Sequence, residues 1–233
     1  MGFLFQRTMK KPSATLLQKR KDKLKLRVEQ YGLENIEYET ILFDETQYQF
    51  VEPIEAAERL LILLAVSFTA YNFDESEKVM DWLKKEELWK SVSPHEKEFF
   101  RNPDPGDEEK QNLSWRFEGA YILAWALEKV RTIADPRSEC GQEQVSEFLQ
   151  SVPPVGSSTE KFFAGLKSRR LPDIIEEALF YEVATKYFKT IVIQDKENSS
   201  QVHSKAAVQR YLALKWLKSA KEKLDWDNIV AGT

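Results

Sequence analysis

The chain predicts a mainly α protein: a single helical domain around a central buried helix at about residues 107–131, with a small N-terminal β-hairpin at about 36–51. Three observations carry that class. Glycine is scarce, eight in 233 residues, which suits helices and argues against Gly-rich sandwiches and nucleotide loops. Helix-start chemistry recurs along the chain, in Pro53, Ser93-Pro94-His95-Glu96 and Pro172. From Gly119 to Leu127 no side chain is charged, and a helix that is apolar all round must be wrapped by others.

The elements follow in order. Thr15 to Tyr31 reads as a basic helix with Leu16, Leu17, Leu24 and Val28 as its apolar positions and Gly32 at its end. Ile36 to Val51 alternates apolar and polar residues around Asp44-Glu45-Thr46, the pattern of a short hairpin. A helix runs from Pro53 to about Tyr71. Asp74 with Glu77 forms a capping-box pattern for a helix to about Trp89, and Ser93 with Glu96 forms another for a helix through Phe100. Asn102-Pro103-Asp104-Pro105-Gly106 breaks the chain before the central helix, and Asp135-Pro136 ends it. Glu139 to Leu149 is the next helix, and Val152-Pro153-Pro154-Val155-Gly156-Ser157-Ser158 is the best linker. Pro172 opens a long helix to about Ile193, and Ser200 to Leu224 forms the last one. The two helices after the linker are too few for a core of their own. The expected division is therefore a basic N-terminal arm, 1–32, and one α-rich domain, 33–233.

Charge is unevenly placed. Residues 1–30 hold nine Lys/Arg against Asp22 and Glu29, a charge of +7; with −4 overall, the other 203 residues carry −11. Such an arm docks on the acidic body, on an anionic surface or on nucleic acid. It lacks interleaved aromatic residues to stack on bases, so no specific nucleic-acid recognition is expected. Cys140, the single cysteine, excludes an intramolecular disulfide and fits a reducing compartment. Phe3-Leu4-Phe5 is too short for a secretory core, and Gln6 stands where a myristoylation signal needs Ser or Thr. Leu60 to Phe73, the longest apolar run, is shorter than the roughly 20 residues of a membrane span. The expected location is cytoplasmic, with no transmembrane segment.

Three charged residues lie on apolar stripes. Glu118 is at helical spacing from Trp115, Ile122 and Trp125; Arg59 from Ile62, Leu63 and Val66; Arg210 from Ala206, Ala207, Leu214 and Leu217. An unpaired buried charge costs several kcal/mol, so either the three form an Arg–Glu–Arg group or the long arginine stems carry their charges out to solvent. Such a group either fixes helix register or, lining a cleft, binds a carboxylate or phosphate. Chemistry is otherwise thinly provided. His95 and His203 lie far apart, and His95-Glu96 lacks the second histidine of a zinc helix. Cys140 follows Ser138-Glu139, an acidic setting that raises a thiol's pKa. No catalytic residue, metal site or cofactor is expected. The six tryptophans read as core, and Trp226, flanked by Asp225 and Asp227, reads as a tail anchor.

Several of these pieces recur in order in a known family. They are Glu55-Ala56-Ala57-Glu58-Arg59, Ser93-Pro94-His95-Glu96-Lys97-Glu98-Phe99-Phe100, Trp115-Arg116-Phe117-Glu118 leading to Leu123-Ala124-Trp125-Ala126-Leu127, Asp173-Ile174-Ile175, Arg210 to Leu217, and Trp226 to Thr233. Across about residues 15–233 the chain resembles a bacterial family catalogued as a domain of unknown function, number 4272. The resemblance implies one α-rich cytosolic domain with Arg59, Glu118 and Arg210 at family-pattern positions, and no activity or cofactor. The family's helix after Asp173 tends to carry an Asp and an Arg where this chain has Leu179 and Val183.

Two functions fit. One is a non-enzymatic protein-interaction module, whose acidic helical body or basic arm engages another protein. The other is a small-ligand-binding protein or hydrolase-like enzyme with a cleft at Arg59, Glu118 and Arg210. Whether those three side chains open onto a pocket or are sealed separates the two.

Overall fold

The computed structural model describes residues 11–34, 41–220 and 225–231. Within them the protein is helical: α1 (Ala14–Gln30), α2 (Pro53–Tyr71), α3 (Ser76–Lys85), α4 (Pro94–Arg101), α5 (Asp107–Ser114), α6 (Arg116–Ala126), α7 (Gln142–Ser151), α8 (Glu160–Ala164), α9 (Leu171–Ile193), α10 (Ser204–Leu217) and α11 (Trp226–Ala231). Among the described residues there is no strand. The hairpin expected over 36–51 is not seen. Residues 35–40 lie outside the described part, and 41–51 hold a single 3-10 turn at Glu45–Gln47. Residues 48–51 are extended, but their polar groups go to the end of α10. Val51 N–H donates to the Leu217 carbonyl at 3.0 Å, and Ala220 N–H to the Gln49 carbonyl at 2.9 Å. Apolar–polar alternation thus marks an extended segment lying on a helix end, with only one isolated bridge, Gln49 to Ser219.

The helix expected over 107–131 is two helices. Ser114 donates its hydroxyl to the Gln111 carbonyl (2.8 Å), and its own carbonyl accepts the Ser67 hydroxyl of α2 (2.7 Å). Glu118 N–H turns to the Trp115 carbonyl instead, and α6 restarts at Arg116. At its far end Glu128 takes a left-handed φ of 57°, and Lys129 N–H reaches back to the Ala124 carbonyl at 2.8 Å. That is a Schellman closure made without glycine. Other boundaries also shift. Asp74 lies in a 3-10 turn, Phe73–Glu75, and makes no cap; α3 begins at Ser76. The Ser93–Glu96 capping box forms, with Pro94 in the first turn.

Packing runs through the apolar faces. α2 is buried from Leu60 to Val66, and α6 from Glu118 to Ala126. α6 packs on α2 and α10, α10 on α9, and α9 on α1. Gly119 permits the close approach of three helices: a Cβ there would lie 3.1 Å from Leu63 Cδ1, 3.5 Å from the Gln209 carbonyl and 3.6 Å from Ala213 Cβ. The basic helix is tied to acids elsewhere: Arg20 to Glu45, Lys23 to Glu176 and Arg27 to Glu177. The linker segment is pinned too. Trp82 Nε1–H donates to the Ser157 carbonyl (2.7 Å), and the Thr159 hydroxyl donates to Glu86 (2.6 Å). No helix among the described residues is long and apolar enough to cross a membrane.

Candidate functional site

Glu118 stands in the first turn of α6 and faces α10. Arg210 Nε and Nη2 both donate to its Oε2, at 2.9 and 2.6 Å. The guanidinium is wholly buried, and its remaining N–H groups are also used: Nη1 donates to Tyr181 Oη and the Asp135 carbonyl, each at 3.1 Å, and Nη2 to the Ser138 carbonyl at 3.0 Å. Glu118 in turn accepts the Cys140 backbone N–H at Oε1 (2.7 Å) and its thiol at Oε2 (3.3 Å). One arginine therefore ties α10 to α6, α9 and the 134–140 loop. Burial opposes its charge, but Tyr181 and Glu118 hold its pKa above the ordinary arginine range. Burial pushes the Tyr181 hydroxyl up to about 12. Burial, then the Glu118 carboxylate, push the Cys140 thiol well above its usual value, so it is a poor nucleophile.

Arg59 does not join this pair. Its Nη1 donates to both oxygens of Glu96, at 2.9 and 2.8 Å. Glu96 is the third residue of the α4 capping box and accepts the Ser93 backbone N–H as well (2.9 Å). The structure brings two of the three expected residues together and sends the third to Glu96, which the sequence marked only as a capping-box residue. His95 is exposed and His203 caps α10, Nδ1 accepting from Ala206 N–H at 3.3 Å. Among the described residues no group of three His, Cys, Asp or Glu could hold a metal ion.

Two clefts open nearby. One, of about 760 Å³, is lined by Arg59, Lys90, Lys97, Trp216 and Trp226, and by the acids Glu55 and Glu58. The other, of about 740 Å³, is lined by Arg116, Trp115, His95, Lys205 and Gln209, and by the acids Glu108 and Glu109. Between them lies Trp226, which is buried, with the Arg59 guanidinium 5.2 Å and the Arg116 guanidinium 5.3 Å from its ring centre. Asp227 beside it accepts the His95 backbone N–H at 3.0 Å, so the tail is anchored at the start of α4. Glu118 and Arg210 line neither cleft.

Arg116 is the residue that sequence reasoning passed over. Its helical neighbours Leu113, Gly119, Ala120 and Leu123 form an apolar stripe, the same signal that singled out Arg59 and Arg210. It is 6% exposed, and among the described residues only its Nη1 has an acceptor, Gln209 Oε1 at 2.9 Å.

The family model described as Domain of unknown function (DUF4272) matches residues 20–229. No curated protein and no solved structure matches the chain.

Proposed function

The chain belongs to the family described as Domain of unknown function (DUF4272), and from that premise we propose that it is a non-enzymatic protein-interaction module. One observation carries this reading. α9 ends in two adjacent β-branched side chains, Val192 and Ile193, that are 76% and 84% exposed. Their neighbours Lys189, Thr190 and Gln194 to Ser199 are exposed as well, so this end of the helix projects from the body. Single exposed apolar residues are ordinary. A projecting pair is a contact surface waiting for an apolar groove.

The basic arm is the weaker candidate for the partner surface, because Arg20, Lys23 and Arg27 are already spent on Glu45, Glu176 and Glu177. Catalysis at Glu118 is disfavoured by its enclosure beneath Arg210. We place the protein in a reducing, cytoplasmic setting.

The test compares affinity capture and cross-linking of the wild type with a Val192→Asp/Ile193→Asp variant. Both substitutions are at exposed positions, so folding is expected to be unaffected. A partner retained equally by both proteins, or no partner with the wild type at low salt, defeats the reading.

A further inference from the structure

The cleft at Arg116 has the makings of a ligand site that the interaction reading does not use. Arg116 opens α6, where the aligned peptide dipoles already favour an anion over a cation. A buried guanidinium normally spends its fork on a carboxylate. Here the nearby acids are engaged elsewhere: Glu96 holds Arg59, and Asp227 accepts the His95 N–H. No carboxylate among the described residues forms an ion pair with Arg116, and its buried Nε has no hydrogen-bond partner. Burial therefore keeps its pKa below the arginine range, with Glu96 opposing the shift and Arg59 adding to it.

The walls continue the pattern. Lys205, in the first turn of α10, adds a second cation, its Nζ 5.6 Å from the centre of the Trp115 ring. Trp115 supplies an aromatic surface, itself 5.2 Å from the His203 ring. Glu108 and Glu109, in the first turn of α5, add two acids to the same lining. The volume suits a small organic molecule, not a bare ion. These acids repel a dianion and attract a cation.

We propose that the cleft between α5–α6 and α10 binds a small zwitterion: a carboxylate on the Arg116 guanidinium and Lys205, and an ammonium toward Glu108 and Glu109.

Calorimetric titration of the full chain at constant ionic strength tests this with four probes: hexanoate, ε-aminohexanoate, hexylammonium and inorganic phosphate. Expected is binding of ε-aminohexanoate ahead of hexanoate, with hexylammonium and phosphate weaker than both. Arg116→Gln is expected to weaken both carboxylates roughly tenfold or more, the scale of a lost charge-assisted hydrogen bond. Glu108→Gln/Glu109→Gln is expected to remove only the advantage of ε-aminohexanoate over hexanoate. Should Arg116→Gln fail to fold, the exposed Lys205→Glu change serves instead and is expected to weaken both carboxylates. Absence of binding by every probe overturns the site, as does equal carboxylate binding by the wild type and the cleft-cation variant. Phosphate binding more tightly than hexanoate, or no preference for ε-aminohexanoate, overturns the zwitterion.

Discussion

Arg210 and Glu118 share two hydrogen bonds 92 residues apart in sequence, from Nε at 2.9 Å and Nη2 at 2.6 Å, with neither side chain reaching solvent appreciably. Removing the acid strands a guanidinium in the core. Glu118→Ala is expected to lower stability by about 3–5 kcal/mol, read by denaturant unfolding. An unchanged melting temperature would contradict the burial argument.

Replacing both partners tests a finer point. For a simple buried pair, apolar substitution of both residues is close to neutral. This arginine also serves Tyr181 and the carbonyls of Asp135 and Ser138, while Glu118 accepts the Cys140 N–H. Glu118→Leu/Arg210→Met therefore leaves several buried groups unpaired, at about 1–3 kcal/mol each. The double variant is expected to remain clearly less stable than wild type. Full recovery in the same unfolding assay would show that the arginine anchors nothing beyond its acid.

Gly119 gives an independent probe of the α2–α6–α10 contact. In an open helix Gly→Ala stabilises by up to about 1 kcal/mol. Here the added methyl meets Leu63 Cδ1 at 3.1 Å, and Leu63 is wholly buried, so any shift it makes disturbs close-packed neighbours. Gly119→Ala is expected to be destabilising by about 1–3 kcal/mol, and pairing it with Leu63→Ala is expected to cost less than the two changes summed. Strict additivity would place the contact elsewhere.

How much of this could be read from the residues depends on whether the signal was local. Pro53 and the Ser93–Glu96 box announce their own helix starts, and the uncharged run after Glu118 announces a buried helix. The Glu118–Arg210 pair was legible because both charges interrupt apolar stripes. Arg59's partner was hidden, since the capping-box pattern already gives Glu96 a local role, and only the fold shows it serving cap and guanidinium together. The break at Trp115 depends on Ser67, 47 residues upstream, claiming the Ser114 carbonyl. The early end of α6 depends on a left-handed glutamate, Glu128, where a glycine would have been the readable signal.

Alkaline pH is expected to destabilise the protein. Burial, then Glu118, raise the Cys140 thiol, and burial raises the Tyr121, Tyr181 and Tyr211 hydroxyls to about 12. Unfolded, these groups titrate near their free values, about 8.5 for Cys and about 10 for Tyr. Between the free and folded values the unfolded chain binds fewer protons than the native one, so unfolding becomes easier as pH rises. The contribution is complete below about pH 8 and is lost progressively above it, thiol first. Denaturation midpoints across that range measure it, and Cys140→Ser is expected to flatten the first part of the decline. A midpoint that holds level to pH about 11 would sink the argument.

The docking of α1 separates a worthwhile ion pair from a decorative one. Arg27 donates to both oxygens of Glu177, at 2.6 and 2.9 Å, and its guanidinium lies 4.0 Å from the Phe180 ring centre. Lys23 reaches Glu176 with 69% of its side chain in water. Exposed pairs contribute about 0–1 kcal/mol and fade with salt. The bidentate, stacked arginine is the stronger anchor, at about 1–3 kcal/mol. Arg27→Ala is expected to speed hydrogen exchange across residues 24–30, whereas Lys23→Ala is expected to change it little, and high salt to change the wild type little. Equal acceleration by both substitutions would mean that α1 is held by charge alone, and not by the fork and ring at Arg27.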